Sequence, residues 1–214
     1  MDLNRSLNNQ TLTPRRFVDF LNELQSGILG KKAVLDASGN PIPINLLQQT
    51  FDEITEKRAP WRGEWLNQGY FKRGKDLYML YYDTQNGELQ RKENSLEDCL
   101  MEDKQIDIFN WLARANSQGL PPKNVNSGNL YYWYPRADNV AGFRADAGRV
   151  VLGCNWVPLG SNAGLGVRAA ISTGNISTKI SQEESNLEEA LEDIQGCIAP
   201  DLLPKVQEKL KKYF

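Results

Sequence analysis

The chain has 214 residues, enough for one substantial domain with additions, and its 40% hydrophobic and 24% charged residues are typical of a globular protein. The net charge of −2 and the pI of about 5.4 provide no global positive field to attract nucleic acid or an anionic membrane. No apolar run approaches the roughly 20 residues that span a bilayer, and the start MDLNRSLNNQ is not a signal peptide. We therefore expect no nucleic acid partner and no membrane insertion. Localisation stays open between the cytoplasm and a virion or cell surface reached through a partner.

Histidine is absent, and the three cysteines, Cys99, Cys154 and Cys197, form no C-x-x-C pair. Without histidine the chain lacks the commonest general base, the usual partner of a serine or cysteine nucleophile, and the commonest metal ligand. The cysteine spacing fits neither a disulfide framework nor a zinc site, and it favours a reducing compartment. We expect no metal, no cofactor and no enzymatic activity.

Residues 1–59 are predicted to form a helical segment packed on the main domain. Thr13 followed by Pro14 is typical of a helix start, and apolar residues then recur at helical spacing: Phe17, Leu21, Leu24 and Ile28. A second helix is predicted at about 45–58, with an apolar face formed by Leu47, Phe51 and Ile54. A turn-rich stretch, DASGNPIP, separates the two helices.

The main domain is predicted at 60–176 and contains several strand signals. In DLYMLYYDTQNGELQ the pair Asn86–Gly87 separates two strand-like runs, which predicts a hairpin. A helix is expected around residues 105–116, and LYYWYP at 130–135 is predicted to be a short aromatic strand.

Residues 150–156 alternate in polarity and predict a strand with one buried face. We expect Val150, Leu152 and Cys154 to point inward, with the intervening residues on the other side. The run LGVRAAIS repeats the alternation, with the following residues inward: Leu165, Val167, Ala169 and Ile171. The two runs are predicted to pair as a second hairpin.

A C-terminal extension is predicted at 177–214. Ser181 and Glu184 form a capping box that begins an acidic helix, and DLLPKVQEKLKKYF predicts a basic helix at the chain end. Because the charges are opposite, we expect the two helices to pack antiparallel, against each other or against the main domain.

Groups that could carry chemistry have simpler structural explanations. The paired acids Glu97–Asp98 and Glu102–Asp103 are adjacent in sequence and do not converge as a general acid and base must. The stretches GSNAGLG and GFRADAG do not match a phosphate-binding loop. An aromatic cluster suits sheet packing better than the stacking of bases or sugars. It comprises Trp61, Trp65, Tyr131, Tyr132, Trp133 and Tyr134.

The segment from about Trp65 to Arg168 resembles the variable proteins of diversity-generating retroelements, in the branch found in archaea, their viruses and related small-genome microbes. The resemblance runs through SLEDCLMED at 95–103, SQGLPPK at 117–123 and YYWYPRADNVAGF at 131–143. It continues in the frame A-x-x-x-x-V-x-L-x-C-x-x-x-P-x-x-S-x-A-x-L-G-V-R from Ala145 to Arg168. The helices at both ends of the chain fall outside it.

The resemblance implies an α+β protein with a C-type lectin-like domain, N-terminal helices and a C-terminal helical extension. In this family a reverse transcriptase copies a template repeat with errors at adenines into a variable region, here at about 139–168. The protein then displays a changed binding surface on a constant scaffold, and the ligand is a protein or a cell-surface molecule. The implied diversified positions are Gly142, Arg144, Asp146, Gly148, Arg149, Val151, Gly153, Asn155, Trp156, Val157, Leu159, Gly160, Asn162 and Gly164.

We expect these positions to lie outward or in turns, with the apolar frame inward. Trp156 and Arg144 are the best residue types for exposed binding anchors, because Trp and Arg are enriched in interface hot spots. Two alternatives remain open. The chain could be an enzyme of the formylglycine-generating type, which shares the fold class and needs a reactive cysteine pair or a copper site, or a structural or virion component.

Overall fold

This computed structural model describes residues 11–36, 38–85, 88–160 and 164–166. These residues contain three helices. They are α1 (Pro14–Ile28), α2 (Ile44–Thr55) and α3 (Ile108–Arg114). Helix α1 begins as predicted, since Thr13 Oγ1 accepts a hydrogen bond from the N–H of Arg16 at 3.3 Å and Pro14 takes the first helical position. The predicted apolar faces of α1 and α2 are buried, except that Ile28 at the end of α1 is half-buried.

Eight strands of the described chain form one mixed sheet. They are β1 (Arg62–Arg73), β2 (Asp76–Gln85), β3 (Glu88–Ser95), β4 (Lys104–Ile106), β5 (Leu130–Trp133), β6 (Asn139–Ala145), β7 (Val150–Trp156) and β8 (Leu165–Gly166). The order across the sheet is β3-β2-β1-β6-β7-β5-β4, and β8 pairs with β1. The pairs β5–β7 and β1–β8 are parallel, and the others are antiparallel. The α+β class is therefore confirmed.

One hydrophobic core is shared by the helices and one face of the sheet. Strand β6 contributes Ala141, Phe143 and Ala145, and strand β7 contributes Val150, Leu152 and Cys154. The Phe143 ring lies 5.0 Å from Phe17 of α1 and 6.2 Å from Trp111 of α3. The inward half of the alternation predicted for residues 150–156 is confirmed by these contacts, and the N-terminal helices share the core of the sheet.

The predicted hairpin between residues 150–156 and the LGVRAAIS run is wrong. Leu165 and Gly166 instead pair in parallel with Gly63 and Glu64 of β1. Strand β7 has no free edge, because β6 occupies one side of it and β5 the other. Leu165 also does not point into the core: it is half-buried, and its Cδ2 lies 3.0 Å from where a Cβ on Gly63 would stand.

The remaining predicted elements are a hairpin, a helix and the C-terminal extension, and the last lies outside the described residues. Strands β2 and β3 pair as far as Gln85 and Glu88, which confirms the first hairpin, while its turn residues lie outside the described part. The helix expected at 105–116 begins later, at Ile108, because Lys104–Ile106 pairs with β5 as strand β4. The predicted C-terminal extension at 177–214 lies outside the described residues.

Candidate functional site

The face of the sheet opposite the core carries two rows of residues across four neighbouring strands. The register places Trp65 of β1 beside Gly142 of β6, Gly142 beside Gly153 of β7, and Gly153 beside Trp133 of β5. Two glycines are thus flanked by two tryptophans. The next row, two residues along each strand, consists of Gly63, Arg144, Val151 and Tyr131.

The side chain of Trp156 covers the two glycines. A Cβ built on Gly142 would stand 2.2 Å from Trp156 Cε3, and one on Gly153 would stand 2.1 Å from Trp156 Nε1. The ring of Trp156 also meets Trp65 edge-on, with ring centroids 5.2 Å apart. Because only glycine leaves this space free, the two glycines allow the indole to lie against the sheet.

A groove of about 250 Å³ lies beside the covering indole. Four tryptophans line it, Trp61, Trp65, Trp133 and Trp156, together with Arg144 and Val157. Val157 is 65% exposed, and the nearby Leu159 is 92% exposed. Large apolar side chains are therefore concentrated at one solvent-facing place on the sheet.

Two arginines lie against the aromatic rings at this site. The guanidinium of Arg144 is 5.5 Å from the centroid of Trp133, and that of Arg149 is 5.2 Å from the same ring and 5.8 Å from Tyr131. Such cation–π contacts contribute roughly 0.5–1 kcal/mol where they are exposed and more where they are desolvated. They hold the guanidinium groups against the tyrosine and tryptophan rings of β5.

Asp146 organises the turn between β6 and β7. Its Oδ1 accepts hydrogen bonds from the N–H groups of Gly148 at 2.8 Å and Arg149 at 2.9 Å. Although burial acts to raise the pKa of Asp146, these two hydrogen bonds and the nearby guanidinium groups outweigh it and lower that pKa. The Asp146 carboxylate is therefore ionised at neutral pH, and its Oδ1 is engaged by the backbone N–H groups of the turn.

Asp146 lies close to the side chains of Arg144 and Arg149 but forms a hydrogen bond with neither guanidinium group. Its Oδ2 is 3.6 Å from Arg144 Nη2 and 3.7 Å from Arg149 Nε, which are ion-pair distances outside hydrogen-bonding range. Arg144 Nε is buried and has no hydrogen-bond partner. Two positive groups thus share one carboxylate, and the site keeps a net positive charge.

Gly142, Val151 and Gly153 lie on the face opposite the core, as expected of outward positions, but they are buried rather than exposed to solvent. The two glycines lie beneath Trp156, and Val151 lies between the register partners Arg144 and Tyr131, outside the core. The exposed positions are Gly148, Val157, Leu159 and Gly160, and the half-buried ones are Arg144, Asp146, Arg149, Asn155, Trp156 and Gly164. Asn162 lies outside the described residues.

Trp156 and Arg144 are less exposed than their role as anchors predicts. Both are half-buried, because the indole packs on the sheet and the guanidinium packs on Trp133. The more exposed apolar side chains of this segment are those of Val157 and Leu159.

Sequence reasoning assigned the aromatic cluster to sheet packing and did not connect it to the site. The structure divides it: Tyr132 is fully buried in the core, whereas Trp61, Trp65 and Trp133 line the groove. The spacing of Trp61, Gly63 and Trp65 carried a usable signal, since residues two apart on a strand share a face. A strand at 62–73 was not predicted, so this alternation was missed.

Three of the four paired acids have structural partners. Glu97 accepts hydrogen bonds from the N–H and the hydroxyl of Ser117. Asp103 pairs with Arg136 at 2.7 Å, and Asp98 pairs with Lys123. These contacts agree with the structural roles that the sequence indicated for them.

The two described cysteines are buried free thiols. Burial raises the pKa of Cys154 to about 12 and that of Cys99 to about 11. Both thiols are therefore protonated at neutral pH, and a protonated thiol is a poor nucleophile and metal ligand. This environment does not favour a reactive cysteine pair of the formylglycine-generating type.

Comparison with known proteins finds no match to any family model, curated protein or solved structure. Within the described residues, no helix is long and apolar enough to cross a membrane, and no cluster of three or more potential metal ligands is found. The fold and the site thus define an α+β protein with an aromatic, arginine-bearing groove on the open face of its sheet.

Proposed function

We propose that the protein is a ligand-binding protein whose exposed sheet face and adjoining loops are diversified by a retroelement, on a C-type lectin-like scaffold. The ligand is a protein or a cell-surface molecule, and the role is binding without catalysis. The proposal extends the resemblance of the segment from about Trp65 to Arg168 to the positions around the groove.

One observation carries the proposal: the core and the candidate positions alternate along β6 and β7. Phe143, Leu152 and Cys154 belong to the hydrophobic core. Their neighbours Gly142, Arg144, Val151 and Gly153, which are candidate diversified positions, lie on the opposite face. None of the described candidate positions packs in the core cluster that holds Phe143, Leu152 and Cys154, although Val151 is fully buried on its own face. A mutagenic process that spares the first set leaves the fold in place.

The energetic contrast between the two sets supports the same division. Truncating a buried Leu or Phe side chain costs roughly 2–5 kcal/mol, whereas surface substitutions usually change stability by about 0.5 kcal/mol or less. A typical domain has a total stability of about 5–15 kcal/mol. Several simultaneous changes are therefore tolerable on the groove face and not in the core.

The buried candidate positions also fit this division. Gly142 and Gly153 are covered by Trp156, which is itself a candidate position. Val151 lies between Arg144, another candidate position, and Tyr131 of the neighbouring strand. Much of the covering layer thus consists of side chains that would vary together, so burial here is a property of one particular combination of residues.

The decisive test is the sequence around the gene. We expect an imperfect copy of the segment encoding residues 140–168, differing chiefly at adenines, next to a reverse transcriptase gene. A genome with neither feature contradicts diversification. Differences spread equally over codons for Phe143, Leu152 and Cys154 would contradict it as well.

A laboratory test compares two libraries of the full-length chain displayed on yeast. One randomises Arg144, Val157 and Leu159, and the matched control randomises Phe143, Leu152 and Cys154. We expect most members of the first library to fold, as measured by surface expression and protease resistance, and few of the second. Equal losses in both libraries would mean that the groove face is a structural surface, as in the alternative of a structural or virion component.

A further inference from the structure

We infer that the groove takes a large apolar side chain from an acidic segment of a partner protein, with a neighbouring carboxylate of that segment paired to Arg144. This inference rests on the proposed function for the view that the face binds a partner. It adds the chemistry of that partner.

The size and lining of the groove select the apolar group. Its volume of about 250 Å³ is below the roughly 300–1,000 Å³ typical of pockets that enclose a whole small molecule. It suits one large side chain. The lining indoles of Trp61, Trp65 and Trp133 offer aromatic surface for stacked and edge-on contacts. These three residues precede the variable region at 139–168, so this aromatic part of the lining would be common to all variants, whereas Trp156 and Val157 would vary.

The charges beside the groove select the carboxylate. Arg144 lines the groove and remains 27% exposed, and its buried Nε has no hydrogen-bond partner. Asp146 cannot supply the missing contacts, because its Oδ1 is held by the turn and its Oδ2 stays 3.6 Å from Arg144 Nη2. A carboxylate from outside would pair with the exposed part of the Arg144 guanidinium and balance the positive charge that Arg144 and Arg149 leave around Asp146.

The same charges disfavour a nucleic acid as the occupant. Two arginines compensated by one aspartate leave about one positive charge at the groove, and the whole chain carries a net charge of −2. Affinity for a polyanion depends on neutralising many phosphates along a basic track. One unbalanced charge beside an aromatic pocket suits a single carboxylate next to a single apolar side chain.

The experiment uses three capped tetrapeptides and the full-length protein. The peptides are acetyl-Gly-Asp-Trp-Gly-amide, its Asp-to-Asn isostere and its Trp-to-Ala analogue. Binding is followed by NMR through the indole N–H signals of the five tryptophans of the chain.

The protein variants are Arg144→Gln and the matched control Arg73→Gln. Arg73 also lies over an aromatic ring, 4.9 Å from Tyr78, and pairs with Glu93 on the β2–β3 side of the sheet. Thermal unfolding of each variant verifies that it is folded.

We expect the Asp-Trp peptide to bind saturably, with the signals of Trp61, Trp65 and Trp133 shifting. The Asn isostere and the Ala analogue should each bind about tenfold more weakly, since a hydrogen-bonded charge pair and a buried aromatic group each contribute on this scale. In Arg144→Gln the preference for Asp over Asn should disappear, and in Arg73→Gln it should persist.

Four outcomes overturn the inference. They are no binding of the Asp-Trp peptide, equal binding of the Asp and Asn peptides, a preference that survives in folded Arg144→Gln, and displacement of the peptide by a thymidine decanucleotide in an Arg144-dependent manner. The last would identify a nucleic acid site. A failed peptide test beside a gene that carries the adenine-variant repeat would reject this partner chemistry alone. If the Asp-Trp peptide binds as expected but the gene lacks that repeat, diversification is rejected, and the groove remains a binding site for this partner chemistry.

Discussion

Trp156 occupies the space that a side chain at residue 153 would need, because a Cβ on Gly153 would stand 2.1 Å from Trp156 Nε1. The same indole excludes a side chain at Gly142, where a Cβ would stand 2.2 Å from its ring. These three candidate diversified positions are thus coupled through one contact. A change at either glycine alters where the indole can lie.

Replacing Gly153 by Ala is expected to move the indole of Trp156 away from the sheet. Trp156 is the last residue of β7, so its side chain can turn outward while the backbone stays paired. The measurement is the indole N–H spectrum, in which Trp156→Phe identifies the signal. Gly148→Ala is the matched control, because its new Cβ would meet Asp146 Oδ1 at an ordinary 3.4 Å. An unchanged Trp156 signal in Gly153→Ala would disprove the coupling.

Truncation on the two faces of β7 should have unequal costs. We expect Leu152→Ala to lower the free energy of unfolding by about 2–5 kcal/mol, because Leu152 is fully buried in the core. Trp156→Ala should cost less than Leu152→Ala, because the indole is only half-buried; its edge-on contact with Trp65 contributes about 1 kcal/mol of that cost. Urea unfolding of both variants measures the difference. Equal costs would place Trp156 in the structural core.

The turn between β6 and β7 should depend on the acceptor oxygen of residue 146 more than on its charge. Asp146→Ala removes the acceptor for two backbone N–H groups and is expected to cost about 1 kcal/mol. Asp146→Asn keeps an acceptor oxygen and should lose less than half of that. Thermal unfolding at neutral pH compares the two variants. A loss in Asp146→Asn as large as in Asp146→Ala would show that charge dominates.

The protein should lose stability at alkaline pH. Burial raises the pKa of Cys154 to about 12 and that of Tyr70 well above its usual 10.0, so the folded state holds both protons more tightly than the unfolded chain does. The stabilisation is complete below about pH 9. It decreases as the pH rises toward the folded pKa values, by up to about 1.4 kcal/mol per pH unit for each group.

Urea unfolding at several pH values between 8 and 11 measures this loss of stability. Cys154→Ala removes one of the buried titrating groups, so its stability should fall less steeply with pH. A wild-type stability that stays constant up to pH 11 would contradict the burial of these groups.

Local patterns were sufficient for several elements. The cap at Thr13, the helical spacing from Phe17 and the alternation at Val150, Leu152 and Cys154 are each set within a few residues, by capping and by the period of the side chains. The structure agrees with these predictions in element type and in the buried face. Helix α3 was placed correctly, but its start was not, because pairing with β5 extended strand β4 up to Ile106.

Pairing between distant segments could not be read in the same way. The alternation in LGVRAAIS indicates a strand but not its neighbour, and the two sides of β7 were already taken by β6 and β5. Leu165 therefore joined β1, about a hundred residues earlier in the chain, and came to line the groove beside Trp61. Which edges are free is a property of the whole sheet.

By itself, the sequence determined which residues of β6 and β7 can support a core and which cannot, because period-2 alternation and side-chain volume are local properties. Only the tertiary structure decided that the face of β6 and β7 opposite the core is partly covered by side chains. Strand register brought Trp65, Gly142, Gly153 and Trp133 into one row, and the Trp156 indole folded over the two glycines. The groove exists because four strands that are separated along the chain are neighbours in the sheet.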